Sequence, residues 1–262
     1  MPGPVIKTID IETSPIESYT WGLWKQNVGL NQIKTEWTIL SYSVKVLGKK
    51  QVKFRHTGGR GIHKVRDDSA LLKELHAELS STDIVVVQNG VRFDLPKISA
   101  RMVMAGLPPL PTIAVVDTLL GTREVFAFTS HRLAWMSEKL TNEPKDEHKA
   151  FPGFELWVEC LKDNPKAWAA MARYNRKDVR ATEKVYLCIR PWLKRHPNVA
   201  LWYDDDSMRC GRCGSDNLKA HGKYHTPANV YPRYKCYGCG GYSRGRFSST
   251  PISKRRKLLS PI

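Results

Sequence analysis

The chain has 262 residues, 41% of them hydrophobic, which is enough for one substantial domain and a small accessory one. Forty-two Lys and Arg against 25 Asp and Glu give a formal charge of +17, which favours a polyanionic partner, nucleic acid, over a membrane surface. No apolar run approaches the roughly 20 residues of a membrane span, and Asp10 and Glu12 interrupt any signal-peptide pattern, so an intracellular, cytoplasmic protein is expected.

Val5 to Ile11 reads as a buried strand, and Asp10 and Glu12, two residues apart at its end, project to one face. Adjacent carboxylates repel unless a cation lies between them, and a divalent metal ion serves that purpose. A pair of acids on a solvated strand edge is the alternative. Trp21-Gly22-Leu23-Trp24 reads as loop cover for the core, with base stacking as its alternative. Residues 38–46 and 51–55 form a predicted hairpin, followed by a helix over 68–79 with Leu71, Leu72, Leu75 and Leu79 at helical spacing. Residues 83–87 are continuously apolar, as in a sheet covered on both faces.

Asn89-Gly90 marks a turn, so Asp94 stands near the start of a helix over 95–105, as a site residue or as a plain N-cap. A strand over 113–116 ends at Asp117-Thr118, read as strand-end capping with a place in the site as the alternative. Helices are predicted over 130–139 and 166–192. His131 reads as structural or as a phosphate contact, and Tyr174 and Asp178 share one face of the last helix. Strands first, then alternating strands and helices, predict an α/β fold with a mixed sheet flanked by helices.

Residues 200–207, with Asp204-Asp205-Asp206, read as an acidic linker. Beyond it, Cys210-Gly211-Arg212-Cys213 and Cys236-Tyr237-Gly238-Cys239 predict a four-cysteine site for one structural Zn2+ in a ribbon over 208–248. Disulfides lack a secretory context and redox motifs lack a βαβ context. So small a module has almost no core, and the metal must hold it together. Cys160 and Cys188 read as buried thiols in helical stretches. From residue 200 onward there are 12 basic and 4 acidic residues. Arg212, Lys223, Arg233, Lys235, Arg244 and Arg246, with tyrosines between them, suit a clamp on single-stranded nucleic acid, and protein docking is the alternative. Residues 249–262, with Lys254-Arg255-Arg256-Lys257, read as a basic disordered tail.

Three acidic elements in this order resemble the DEDD superfamily of 3′→5′ exonucleases, the DnaQ-like branch of the ribonuclease H-like fold, over roughly residues 1–195. Asp10 and Glu12 match its Asp-x-Glu strand. Asn89, Phe93 and Asp94 match its Asn-x-x-x-Phe-Asp element. Tyr174 precedes Asp178 by four, and Arg173 stands where the other subclass carries His, so the resemblance is to the Tyr subclass. Trp21-Gly22-Leu23-Trp24 and Ala167-Trp168 resemble small phage-encoded exonucleases with a C-terminal zinc ribbon. In ribonuclease H proper the corresponding Glu comes from a helix, which favours the exonuclease.

The resemblance implies a ribonuclease H-like exonuclease domain over 1–199 holding two Mg2+ or Mn2+ ions. Asp10 would bridge them, Glu12 and Asp178 would partner the ion that activates water, and Asp94 would hold the second. Tyr174 would orient the attacking water, and Asn89 and Phe93 would contact the nucleic acid. The expected substrate is a single-stranded DNA 3′ end, in replication, proofreading or recombination, with any polymerase acting in trans. A ribonuclease or structure-specific endonuclease is the alternative enzyme, and a non-catalytic nucleic-acid-binding protein the alternative of another class.

Overall fold

The computed structural model describes residues 3–141 and 150–259, so residues 260–262 of the expected tail lie outside the described residues. The chain divides into two compact units. The larger comprises Val5–Arg123 and Ala127–Tyr186, and the smaller comprises Met1–Pro4, Glu124–Phe126 and Leu187–Ile262.

In chain order the first elements are β1 (Ile6–Thr13), β2 (Glu17–Ser18), β3 (Ile33–Thr35), β4 (Ile39–Val46), β5 (Lys53–His56) and α1 (Ser69–Ser80). Then come β6 (Ile84–Val87), α2 (Asp94–Met104), β7 (Ala114–Asp117), α3 (Thr118–Val125), α4 (Leu133–Thr141), α5 (Glu155–Leu161) and α6 (Pro165–Ile189). Five strands form one sheet in the order β5-β4-β1-β6-β7. β1–β4 and β4–β5 pair antiparallel, while β1–β6 and β6–β7 pair parallel, so the predicted mixed sheet is present.

The alternation of β1 sets the layers. Ile9 and Ile11 pack with Tyr42 and Val44 of β4 against Leu72, Leu75 and Leu79 of α1 and Ile98 and Met102 of α2. A second cluster joins Leu40 and Phe54 to Leu156 of α5 and to Ala167, Trp168 and Met171 of α6. Helices therefore cover both faces, and β6, with the run Ile84-Val85-Val86-Val87, is buried throughout. Leu75 is fully buried, and truncating it to Ala removes about 2–5 kcal/mol of stability. α6 is also tied across the sheet by an ion pair of 2.5 Å between Lys45 Nζ and Glu183 Oε1, both nearly buried.

Two expectations are corrected. Trp21, Leu23 and Trp24 do not cover the core: they are 98%, 90% and 84% exposed on the loop between β2 and β3, with no element among the described residues packed over them. The last long helix stops at Ile189, because Pro191 lacks the N–H that would continue it, and a 3-10 turn, Arg190–Trp192, follows. Helices α3 and α5, too short to show a full apolar stripe, were not predicted.

The smaller unit contains a three-stranded sheet, β8 (Leu218–His225), β9 (Val230–Cys236) and β10 (Tyr242–Arg244), in the order β10-β9-β8. Pro232 sits in its central strand, where it cannot donate to a ladder. The register of β8 shifts between Ala220 and Lys223 opposite it, with Gly222 at φ +74°, so a bulge absorbs the missing donor. Cys188 is exposed, not buried as expected, because it faces outward on the last turn of α6. Part of the expected disordered tail is ordered: Thr250 is buried, its hydroxyl accepts the Val230 N–H, and Ile252–Arg255 form the helical turn α7. Among the described residues no helix is long and apolar enough to cross a membrane.

Candidate active site

β1 presents Asp10 and Glu12 on the face opposite Ile9 and Ile11, paired across the ladder with Ser43 and Ser41. That face looks towards α6. Asn175 of α6, fully buried, donates from Nδ2 to Asp10 Oδ2. Trp157 of α5 donates from Nε1 to Glu12 Oε2 at 3.2 Å. Each carboxylate on the strand is thus held by a helix of the covering layer.

Asp94 arrives through a tight turn after β6. Asn89 has φ +62°, and a Cβ on Gly90 would lie 2.4 Å from Val87 Cβ, so only glycine fits there. The N-cap position belongs to Phe93, and Asp94 Oδ1 accepts the Ile11 N–H of β1 at 3.1 Å. This bond turns Asp94 towards the acidic strand. Asp117, by contrast, spends its carboxylate on the N–H groups of Asn89, Val91, Leu119 and Leu120. It caps the strand end and fixes the Asn89 turn, as the capping reading predicted.

The electrostatics gather these groups into one site. Loss of water raises the Asp10 pKa well above the usual carboxylate range, and the charges of Glu12, Asp94 and Asp178 raise it further, against the Asn175 hydrogen bond. Burial pushes Asp94 up to about 6, against its backbone hydrogen bonds and with help from Asp117. Burial and the nearby Asp178, Glu12 and Asp10 push the Tyr174 phenol up as well. Tyr174 therefore stays protonated at neutral pH and donates its O–H to Asp178.

A cleft of about 710 Å³ opens over this region, lined by Asp10, Asn89, Tyr174 and Asp178, with Arg123, Arg132 and Lys177 among its basic residues. His131 also lines it, with Nδ1 3.0 Å from Thr122 Oγ1, a structural contact. Phe93 is exposed, with Lys97 Nζ 5.3 Å from its ring centre. The chemistry on offer is that of several converging carboxylates, beside a phenol donor and cations suited to phosphates.

In the smaller unit the Cys210 and Cys239 sulfurs are 3.7 Å apart and those of Cys213 and Cys236 3.6 Å. All four lie within 4.8 Å of one another, and among the described residues they alone converge so closely as a set of three or more potential ligands. Zn–S bonds of about 2.3 Å at tetrahedral angles place sulfurs about 3.8 Å apart, so the spacing fits one Zn2+ and not disulfides near 2.05 Å. Hydrogen bonds from the Cys213 thiol and from the backbone N–H groups of Arg212 and Cys213 lower the Cys210 pKa, against its burial. His221 packs on Tyr242 instead of joining the cluster. Arg212, expected to contact nucleic acid, donates to the carbonyls of Leu193 and Tyr242 and so braces the cluster.

Sequence reasoning missed Asn175 and Trp157 as partners of the acids. Asn175 follows Tyr174 on the apolar stripe of α6, and a polar residue on a buried stripe is a usable signal. Nothing local marks Trp157.

A protein-family model described as the RNase_H superfamily matches residues 26–189. Asp94, Tyr174 and Asp178 fall within that span, and Asp10 and Glu12 precede it. One curated relative is a "DNA polymerase III PolC-type" of Ureaplasma parvum serovar 3, 35% identical over 88 residues. The match takes in 33% of this chain and only 6% of that relative's length. Among solved structures, the family B DNA polymerase of the hyperthermophilic archaeon Pyrobaculum calidifontis superposes at a TM-score of 0.48 and 19% identity, over 72% of this chain and 25% of that one.

Proposed function

The chain belongs to the RNase H superfamily, and we propose that it is a 3′→5′ exonuclease of the DEDD type, Tyr subclass, acting on single-stranded DNA 3′ ends. The observation that carries this reading is the placement of the acids: Asp10 and Glu12 share one face of β1, Asp94 is held on the Ile11 N–H of that strand, and Asp178 lines the same cleft as Asp10. Such a donor set fits hard divalent cations and is electrostatically costly without them. Asp10, Glu12, Asp94 and Asp178 would hold two Mg2+ or Mn2+ ions. Bound there, divalent ions supply acidified water and relieve the charge that builds on the scissile phosphate.

The protein's own groups do the positioning. Asn175 fixes one oxygen of Asp10 and leaves the other available, Trp157 sets Glu12, and the Ile11 N–H sets Asp94. Tyr174, kept protonated and donating its O–H to Asp178, would accept a hydrogen bond from the attacking water and so orient it. Arg123, Arg132 and Lys177 of the cleft contact backbone phosphates, with Asn89 at its edge. The four cysteines hold one structural Zn2+. DNA is preferred as substrate because the curated relative is named a DNA polymerase, and a role in replication, proofreading or recombination follows, with a polymerase in trans. The resemblance to small phage-encoded exonucleases belongs to the same proposal.

Asp10→Ala and Asp178→Ala are expected to abolish metal-dependent hydrolysis while the far-UV circular dichroism and Tm stay near the parent's, with Asp10→Asn as the milder control. Tyr174→Phe is expected to lower kcat more than it weakens substrate binding. Near-parental activity in both Ala variants, correctly folded, refutes the assignment.

A further inference from the structure

The smaller unit carries a surface that the active-site reading does not use. Residues 217–262 contain ten Lys and Arg and no Asp or Glu. Strand pairing gathers part of this charge on one face of the three-stranded sheet. Tyr231, Arg233 and Lys235 alternate along β9 and so project together. Across the antiparallel ladders stand Tyr224 opposite Tyr231, Arg244 opposite Arg233, and both Lys219 and Tyr242 opposite Lys235.

Side-chain contacts follow that register. The Arg244 guanidinium lies 4.2 Å from the Tyr231 ring centre and 5.6 Å from that of Tyr224. Arg233 lies 5.5 Å from the Tyr242 ring, and Lys219 and Lys235 lie 5.1 and 5.6 Å from that of Tyr237. Four cations are thus interleaved with four tyrosines, and Tyr224, Tyr237 and Tyr242 are 45%, 52% and 44% exposed. The cations lie against the rings, and three of the four tyrosines keep about half of their surface exposed.

We infer that this face is a second nucleic-acid surface, one that binds single strands by stacking bases on the tyrosines and pairing phosphates with Lys219, Arg233, Lys235 and Arg244. A duplex satisfies the cations but offers no free base to the rings, and an acidic protein likewise uses only the charges, so an unpaired strand is the partner that uses both. From Tyr231 to Lys235 the strand rises about 14 Å, room for about two or three stacked bases. Ring stacking does not distinguish DNA from RNA, so the surface takes either.

The test titrates the full chain, purified without chelator and with no Mg2+ or Mn2+ added, into fluorescein-labelled oligothymidylate, oligouridylate and a duplex, each of about 20 nucleotides. Anisotropy should show tighter binding of both single strands than of the duplex. Tyr224→Ala with Tyr242→Ala should weaken single-strand binding about tenfold or more, and the matching Tyr→Phe pair should restore it. Arg233→Ala with Arg244→Ala should flatten the dependence of log Kd on log salt by about 0.7 per charge removed. Equal binding of the duplex, a Kd unmoved by the Tyr→Ala pair, or no binding at all overturns the inference, the last leaving the face to a protein partner. Metal-dependent cleavage by the same preparations separates the two readings. Intact cleavage with tyrosines of no consequence refutes this surface alone, and intact single-strand binding without cleavage refutes the nuclease alone.

Discussion

Asn175→Ala tests the positioning of the central carboxylate. Asn175 is fully buried, its Nδ2 donates to Asp10 Oδ2, and the same nitrogen is 3.5 Å from the Asp10 carbonyl oxygen. A hydrogen bond to a charged acceptor is worth about 1.5–3 kcal/mol, or roughly 10- to 150-fold in an equilibrium. Partners that orient metal ligands commonly contribute about 10- to 100-fold in affinity or activity, which brackets the same range. Without the donor, Asp10 loses a hydrogen bond that lowers its pKa, and its carboxylate is less available at neutral pH. We therefore expect the Mg2+ concentration for half-maximal activity to rise at least about tenfold at pH 7, with kcat at saturating metal falling less. Asn175→Asp should be worse, because it sets another carboxylate against Asp10. The assay follows nucleotide release from a labelled oligonucleotide across a Mg2+ series. A metal-activation curve for Asn175→Ala that overlays the parent's refutes the reasoning.

Other predictions concern the rest of the chain. Trp21→Ala with Trp24→Ala should change unfolding free energy by no more than about 0.5 kcal/mol per site, since both rings are exposed, and a larger loss in thermal melts would restore them to the core. Glu78 accepts from Lys7 at 3.0 Å and Lys53 at 2.8 Å; burial raises its pKa, but these bonds outweigh that and hold it below its usual value. A carboxyl depressed in the fold stabilises fully above its unfolded pKa and loses that contribution as pH falls through its folded value. Glu78→Gln should thus lower Tm at pH 7, with the gap closing as pH drops below about 4.5, and a gap independent of pH would contradict this. In thiol titration of the untreated protein, Cys188 should react and Cys160 should not, because burial and nearby carboxylates push the latter up to about 12. Four more thiols should appear on adding a chelator, with release of one Zn2+ per chain. Reaction of the four without chelator would argue against the metal cluster.

The sheet was legible, as were the elements that carry the candidate site's residues, because they rest on short-range periodicity. Alternation put Asp10 and Glu12 on one face, the Asn-Gly turn delivered Asp94 to the start of a helix, and the four-residue step joined Tyr174 to Asp178. What escaped depends on tertiary partners. Trp157 reaches Glu12 from a seven-residue helix too short to announce itself. Trp21 and Trp24 looked like core because they are large and apolar, yet burial needs an opposing element, which sequence cannot supply. Pro232 cannot donate to a ladder, and it sits in a central strand because the bulge lies opposite it, a pairing that no local pattern shows. The cysteine spacing was informative because two short loops must converge on one point, and the sulfurs do so.

The decisive experiment on the nuclease itself incubates the protein with Mg2+ or Mn2+ and single-stranded DNA labelled at its 5′ end, beside RNA of the same sequence and a closed circular single strand. A two-metal 3′→5′ exonuclease yields a ladder of progressively shorter labelled DNA products, leaves the circle untouched, and loses all cleavage in Asp10→Ala. Immediate release of the labelled 5′ nucleotide, cutting of the circle, preference for RNA, or binding without cleavage under either metal would contradict that assignment.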